Sequence, residues 1–303
     1  SLKNRLWPCS QMKLYTEARD KSFSEVFEFN NKSKKKNIFY MIENAKIIKI
    51  MKEKIKKNKN ITLVKKNNIS EINNLGLLKG VRLNKNFYKY SLIIICAGSN
   101  SNLIKNIFKN ETIENSYKET SLVTILKHKL LKNNVTRQIF LNDGILALLP
   151  ISNTETSIVW SIKKNFKKKN DFFFRNKIKF YVSNYLKNIK FKSKLEYRDL
   201  NFLVRKRYYK DRILLFGDAL HVIHPFVGQG FNMTLRDLSS LEKILKSKVN
   251  LGLDIGSIDN LFEFSQEVKP RNFAFSIGVN FLKSSFSMKN ENFKSVRNQV
   301  IKE

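Results

Sequence analysis

The chain has 303 residues, room for one large domain or two smaller ones, and 42% of them are hydrophobic, enough for a real core. Its 58 Lys and Arg against 25 Asp and Glu give a net charge of +33, which suits an anionic partner, but the lysines are dispersed and no paired Cys/His finger or glycine–aromatic RNA-binding signature occurs, so nucleic acid is set aside. The two cysteines, Cys9 and Cys96, exclude a disulfide scaffold, and no apolar run reaches the roughly 18 residues that a membrane-spanning helix needs.

The chain opens SLKNRLWPCS, without Met and without the apolar stretch of a signal peptide. Residues 12–15 and 26–29 alternate as strands do, with a polar, basic turn at 30–37 between them and an apolar run at 38–41. Ala45, Ile48, Met51, Lys52 and Ile55 fall near one face of a helix over 43–55. Residues 61–64 read as a strand, and 69–90 as a small hairpin turning at Gly76 and Gly80. Residues 91–96 read as a buried strand, with Cys96 a reduced core thiol, running into the small-residue turn Ala97-Gly98-Ser99-Asn100-Ser101. Four strand-like segments follow at 123–128, 136–141, 145–150 and 157–162, with no helix between them, so an antiparallel sheet is expected. His128 is expected at a strand or on the surface. Residues 171–189 carry a helical pattern whose stripe of Phe172, Phe173 and Phe180 is expected to pack in the core. The end, from 258 onward, is amphipathic in parts, and Phe273, Ile277, Phe281 and Leu282 suit docking on the body or on a membrane surface.

The stretch 211–244 says most about function. A short apolar run, 213–216, has the length of a buried strand; Gly217-Asp218 places a carboxylate just past its end; a loop with Pro225, Gly228 and Gly230 follows; and Phe231, Leu235, Leu238, Leu241 (or Glu242) and Leu245 then recur at helical spacing. In open α/β sheets, ligands sit outside the carboxyl ends of the strands, and a helix N-terminus there favours negative charge. Asp218, His221 and His224 stand at i, i+3 and i+6, a spacing that a metal site can use. Pro225 and the glycines interrupt any helix presenting them, so a structural role in the loop is the stronger reading.

The run Gly217-Asp218-Ala219-Leu220-His221-Val222-Ile223-His224-Pro225-Phe226-Val227-Gly228-Gln229-Gly230-Phe231-Asn232, with Asp237 beyond it, resembles the second flavin-binding motif of the FAD-dependent aromatic hydroxylases. Arg137-Gln138-Ile139-Phe140-Leu141, Gly144, Ala147-Leu148-Leu149-Pro150-Ile151 and Ser157-Ile158-Val159-Trp160-Ser161 resemble, within them, the ubiquinone-biosynthesis hydroxylases. The resemblance implies an α/β fold: a Rossmann-like FAD-binding domain, here incomplete, with an inserted antiparallel-sheet substrate domain and C-terminal helices. It divides the chain into substrate-domain strands (1–37), FAD-binding parts (38–110 and 209–250), the substrate sheet (111–208) and a helical end (251–303).

The resemblance further implies FAD, NAD(P)H as reductant, and dioxygen inserted through a flavin C4a-hydroperoxide into the ring of a polyprenylated phenol. Cytoplasmic placement, peripheral to the inner membrane, and a ubiquinone-biosynthesis complex go with it. Asp218 is expected to take hydrogen bonds from the ribityl hydroxyls. Pro225 stiffens the loop beside the isoalloxazine, and Gly228 and Gly230 let backbone approach the ring. The helix starting near Phe231 points its N–H groups at the flavin N1/C2 carbonyl edge, and Gln229 and Asn232 belong to the same motif. Arg137 and Trp160 are weaker candidates for the substrate pocket, against sheet packing. No residue is singled out as acid or base. The family's GxGxxG does not occur, and Cys96-Ala97-Gly98 stands where relatives have Ala-Asp-Gly. The chain is therefore expected to be a piece of a longer protein, its ADP-binding unit lying before Ser1 and its C-terminal helices cut short after Arg297. A degenerate, non-catalytic flavoprotein and a basic membrane- or nucleic-acid-binding module are the alternatives.

Overall fold

The computed structural model describes residues 6–287 except 19, 21, 31–36, 65–68, 110, 165–168 and 226–227. The expected turn at 30–37 lies mostly outside the described residues, as do Phe226, Val227 and the chain end after Arg297. In chain order the elements are β1 (Trp7–Cys9), β2 (Gln11–Glu17), β3 (Phe23–Asn30), β4 (Phe39–Met41), α1 (Asn44–Lys57), β5 (Ile69–Leu75), β6 (Leu78–Leu83), β7 (Asn86–Tyr90), β8 (Ile93–Ile95) and α2 (Asn102–Phe108). There follow β9 (Thr112–Lys127), β10 (Val135–Leu141), β11 (Gly144–Ser152), β12 (Glu155–Lys163), α3 (Asp171–Val182), β13 (Lys190–Phe191) and β14 (Glu196–Arg205). The last are β15 (Tyr209–Lys210), β16 (Ile213–Leu215), a 3-10 turn (Gly217–Ala219), β17 (His221–Val222), α4 (Gly230–Asn250) and α5 (Ile258–Ser287). They form two compact units, one of residues 1–63, 118–200 and 285–303, the other of residues 64–117 and 201–284. The sequence-based divisions fell instead at 38, 111, 209 and 251.

The first unit is a sheet backed by a helix. β9, β12, β11 and β10 pair antiparallel in that order, as expected, and β2 then joins β10 in parallel with β3 antiparallel beyond it. Alternation explains the face that is buried: Leu122, Trp160 and Leu146 are register partners on adjacent strands and all are fully buried. α3 starts where the Asn170 side chain accepts the Phe173 N–H at 3.0 Å, and it packs Phe174, Ile178, Tyr181 and Val182 onto that face. Trp160 meets Phe174 and Tyr181 edge-on, at 5.8 and 5.6 Å. Trp160 is thus core packing, while half-buried Arg137 lies over the Tyr185 ring at 4.9 Å.

Several expectations are corrected here. Phe172 and Phe180 are 70% and 57% exposed, because the helix turns the neighbouring stripe of Phe174, Ile178 and Tyr181 inward. His128 is buried and bonds Thr156 at 3.0 Å. Residues 61–64 form no strand; no strand partner reaches them among the described residues. α1 forms, but it buries none of its residues.

The second unit contains two small sheets and three helices. β16 pairs in parallel with β8 (Ile213↔Ile93 to Leu215↔Ile95), and β15 adds an antiparallel edge. Leu214, Leu215, Ile104, Phe108, Leu241, Ile244 and Phe264 join in its core, so α2, α4 and α5 cover this sheet. Arg212 anchors its start with a forked bond to Asp254, at 2.9 and 2.5 Å. Residues 69–90 form three strands rather than a hairpin: Gly76 turns at φ +71°, whereas Gly80 lies inside β6, and the second turn uses Asn84 at φ +54°. Cys96 is exposed, because it follows the last buried residue of β8, Ile95. Pro270 lies within α5.

Truncating Trp160→Ala removes the centre of the first core and is expected to lower stability by about 3–5 kcal/mol in urea unfolding. Tyr208 is buried, and burial pushes its hydroxyl up to about 12. A folded-state value above the unfolded one gives stability that is complete below about pH 10 and is lost as pH rises towards 12. Between pH 8 and 11 the wild type should lose about 1 kcal/mol more than Tyr208→Phe, as unfolding curves at the two pH values will show.

Candidate functional site

The parallel pairing of β8 and β16 ends both strands at one level, and Phe216 N–H still reaches the Ile95 carbonyl at 3.0 Å. Two turns leave from there. One is Cys96–Gly98 with its following serine; the other is the 3-10 turn, which begins with Gly217 at φ +64°, a conformation that only glycine enters without strain. Asp218 follows, exposed while its neighbours Gly217 and Ala219 are buried, so its carboxylate faces outward from a fixed backbone. A Cβ on Gly217 would lie 3.6 Å from the Thr234 methyl, which shows that this turn packs on the first turns of α4.

β17 pairs with the end of β14 (Leu203↔Val222, Val204↔His221) and leads into the loop. Pro225 is exposed, Gly228 sits at φ +65° with open space where a Cβ would be, and Gly230 starts α4. Gln229 stands at the N-cap position but gives no side-chain cap; its Oε1 instead accepts a bond from Asn232 at 3.0 Å. Asn232 therefore holds Gln229 rather than capping the helix. Among the described residues no side chain caps α4 and none in its first turn is acidic, so its first N–H groups and positive dipole end suit an electron-rich ligand. Phe231, Leu235 and Leu238, which share the helical spacing, are exposed at 51%, 43% and 48%. The buried face is Met233, Asp237, Ser240, Leu241 and Ile244, because Asp237 is turned into a polar network.

In that network, His221 Nε2 lies 2.9 Å from Asp237 Oδ2, and Asn272 of α5 donates to the same oxygen at 2.8 Å. All three residues are buried. His224 is held separately: its N–H donates to the Tyr117 hydroxyl at 3.2 Å, its ring meets the Tyr117 ring edge-on at 4.9 Å, and Tyr117 donates to Asn280 of α5 at 2.5 Å. The two histidines thus have different partners, and no cluster of metal-binding side chains occurs among the described residues. They tie the segment that leads into the glycine loop to α5, His221 through Asp237 of α4 and His224 through Tyr117.

The residues fit the flavin ring of FAD: an outward carboxylate at a strand end, backbone at Gly228 with open space beside it, and helix N–H groups without a side-chain cap. The family model for squalene epoxidase matches residues 89–302. The chain belongs to the squalene epoxidase family. As a member, it is similar to "Ubiquinone biosynthesis monooxygenase COQ6, mitochondrial" of Dictyostelium discoideum, at 24% identity over 82% of this chain and 61% of that one. The Homo sapiens protein of the same name is 26% identical over 66% and 51%. "Ubiquinone hydroxylase UbiL" of Rhodospirillum rubrum is 29% identical over 52% and 37%. The chain thus spans about half to three-fifths of the length of the COQ6 relatives quoted. Its fold is that of the FAD-dependent monooxygenases. Pseudomonas aeruginosa PqsL, a probable FAD-dependent monooxygenase, aligns at TM-score 0.78 with 17% identity, over 98% of this chain and 83% of that one. Klebsiella pneumoniae HpxO complexed with FAD and uric acid aligns at 0.74 with 12% identity, over 98% and 77%.

For this squalene epoxidase family member the family resemblance and the fold class are borne out. Sequence reasoning missed Tyr117, Asn272 and Asn280, which lie far along the chain from the loop they hold. His221→Leu takes one partner from the buried Asp237 carboxylate and leaves it Asn272 and the more distant Arg271, so it should cost about 2 kcal/mol of stability in urea unfolding. His221→Asn, which keeps a polar partner for Asp237, should lose less.

Proposed function

We propose that the protein is an FAD-dependent monooxygenase that hydroxylates the ring of a polyprenylated phenol in ubiquinone biosynthesis, with NAD(P)H as reductant and dioxygen as oxygen source. The arrangement of the β16 strand end, Asp218, the open backbone at Gly228 and the uncapped α4 carries this reading, and the names of the similar proteins supply the reaction class. Bound FAD would supply the oxygen chemistry. The chain's part is to hold and tune it. Asp218 accepts hydrogen bonds from the ribityl hydroxyls. Gly228 and Gly230 keep side chains away from the ring, Pro225 restricts the loop, and the α4 N-terminus favours the negative charge that collects at the ring's N1/C2 edge on reduction.

The sheet unit is assigned to the phenol on family resemblance. A peripheral membrane position is supported by α5. Its outer face exposes Phe262, Phe273, Ile277 and Phe281, and a groove of about 800 Å³ beside it is lined by Lys206, Arg207, Lys210 and Lys269. No helix among the described residues is long and apolar enough to cross a membrane. The names of the similar COQ6 proteins, which include "mitochondrial", support a mitochondrial position in this reading. A second reading, a flavin-binding homologue without turnover, is favoured by Ala97 in the turn after β8, which leaves that turn without a carboxylate.

The test is the visible spectrum of the full-length protein. It should be yellow as purified or after adding FAD, and Asp218→Ala should weaken FAD binding by about tenfold. A protein that stays colourless with FAD added would sink both readings, whereas flavin binding without NAD(P)H oxidation in the presence of the phenol would favour the second.

A further inference from the structure

One buried cation at the strand ends has no part in the motif. Arg205, the last residue of β14, is 3% exposed. Its Nε donates to the Ala219 carbonyl at 2.8 Å, and its Nη2 donates to the Ser99 carbonyl at 3.1 Å. Its backbone N–H donates to the Leu220 carbonyl at 2.9 Å. One side chain thus joins the two turns that leave the carboxyl ends of β8 and β16, in segments separated by more than a hundred residues of sequence. Burying a guanidinium is costly unless its bonds are well placed. A planar fork that reaches two carbonyls at once is a geometry that Lys cannot copy. Among Cys96–Gly98, the serines and asparagine that follow it, and Gly217–Ala219, Asp218 has the only charged side chain. The place of that carboxylate therefore depends on how the Ala219 backbone is held.

We propose that Arg205 is a positioning residue of the cofactor site: it fixes the separation of the two strand-end turns and thereby places the Asp218 carboxylate for the dinucleotide. This rests on the FAD reading above. It also explains how the turn after β8, which has Ala97 and no carboxylate, keeps a defined shape: the Ser99 carbonyl is held from the opposite turn.

The experiment compares full-length wild type, Arg205→Lys and Arg205→Met by FAD titration, by the melting temperature of the flavin-free protein, and by hydrogen exchange. Arg205→Lys keeps the charge and loses the fork. It should weaken FAD binding about tenfold while the flavin-free melting temperature stays within about 2 °C of wild type. Exchange should quicken in residues 96–101 and 217–220 and be unchanged in the core of α4 and α5. Arg205→Met should weaken FAD further; if it does not fold, the Lys variant decides. Wild-type affinity in Arg205→Lys overturns the proposal, and so does a loss of affinity with faster exchange throughout the unit, since that marks general destabilisation. Wild type that binds no FAD overturns the cofactor reading and this proposal together, whereas wild-type binding with an indifferent Lys variant overturns this proposal alone.

Discussion

The parallel pairing of β8 with β16 is the constraint on which the candidate site depends. Three residues on each strand are in register, and all three of β16 are buried. Because parallel strands end in the same direction, two chain segments more than a hundred residues apart deliver their turns to one edge. Everything that faces a ligand then follows locally. Gly217 reverses the backbone, Asp218 is turned out, β17 begins, and the glycine loop runs into α4. The strand pair is short, so its placement relies on what packs around it. Arg212 fixes the entry through Asp254, and the side chains of α2, α4 and α5 seal the faces.

What could be read in the sequence was local in the chain. The order strand, Gly-Asp, Pro, Gly-Gln-Gly, helix lies within about three dozen residues, and each part has its own backbone requirement, so its meaning survives without knowledge of the fold. The four antiparallel strands were legible for the same reason, since alternation and turns repeat at short range. What failed needed long-range information. The helical spacing of α4 does not show which face is buried: Asp237, a charged residue, lies on that face because His221, Asn272 and Arg271 meet it. The stripe of Phe172 and Phe180 on α3 was misread because composition cannot tell which of two adjacent aromatic stripes meets the sheet; the Asn170 cap and Trp160 settle that. Arg205 gave no signal at all, because its partners are backbone carbonyls, which leave no mark on residue type.

The two buried histidines show how a motif combines chemistry with scaffolding. In a linear reading, His221 and His224 invite a metal. In the fold, each is committed to a different partner, and both partners lead to α5, at Asn272 and Asn280. Gly228 and Gly230, which follow them, leave the loop free of side chains where a ligand must approach, and the histidines compensate by fixing the segment that leads into it. Flexibility and fixation are thus divided among neighbouring residues.

Pro270 gives α5 an articulation. It has no N–H for the Gln266 carbonyl and its ring crowds that carbonyl, so the hydrogen-bond ladder is interrupted there. On one side Leu261, Phe264 and Val268 are seated in the core; on the other, Asn272 and Asn280 reach the polar partners of the loop. The long helix is therefore two levers in series, one bolted to the core and one gripping the loop. A load on the outer residues Phe273 or Ile277, from whatever surface they rest on, would be felt first by the segment that holds His221 and His224 in place.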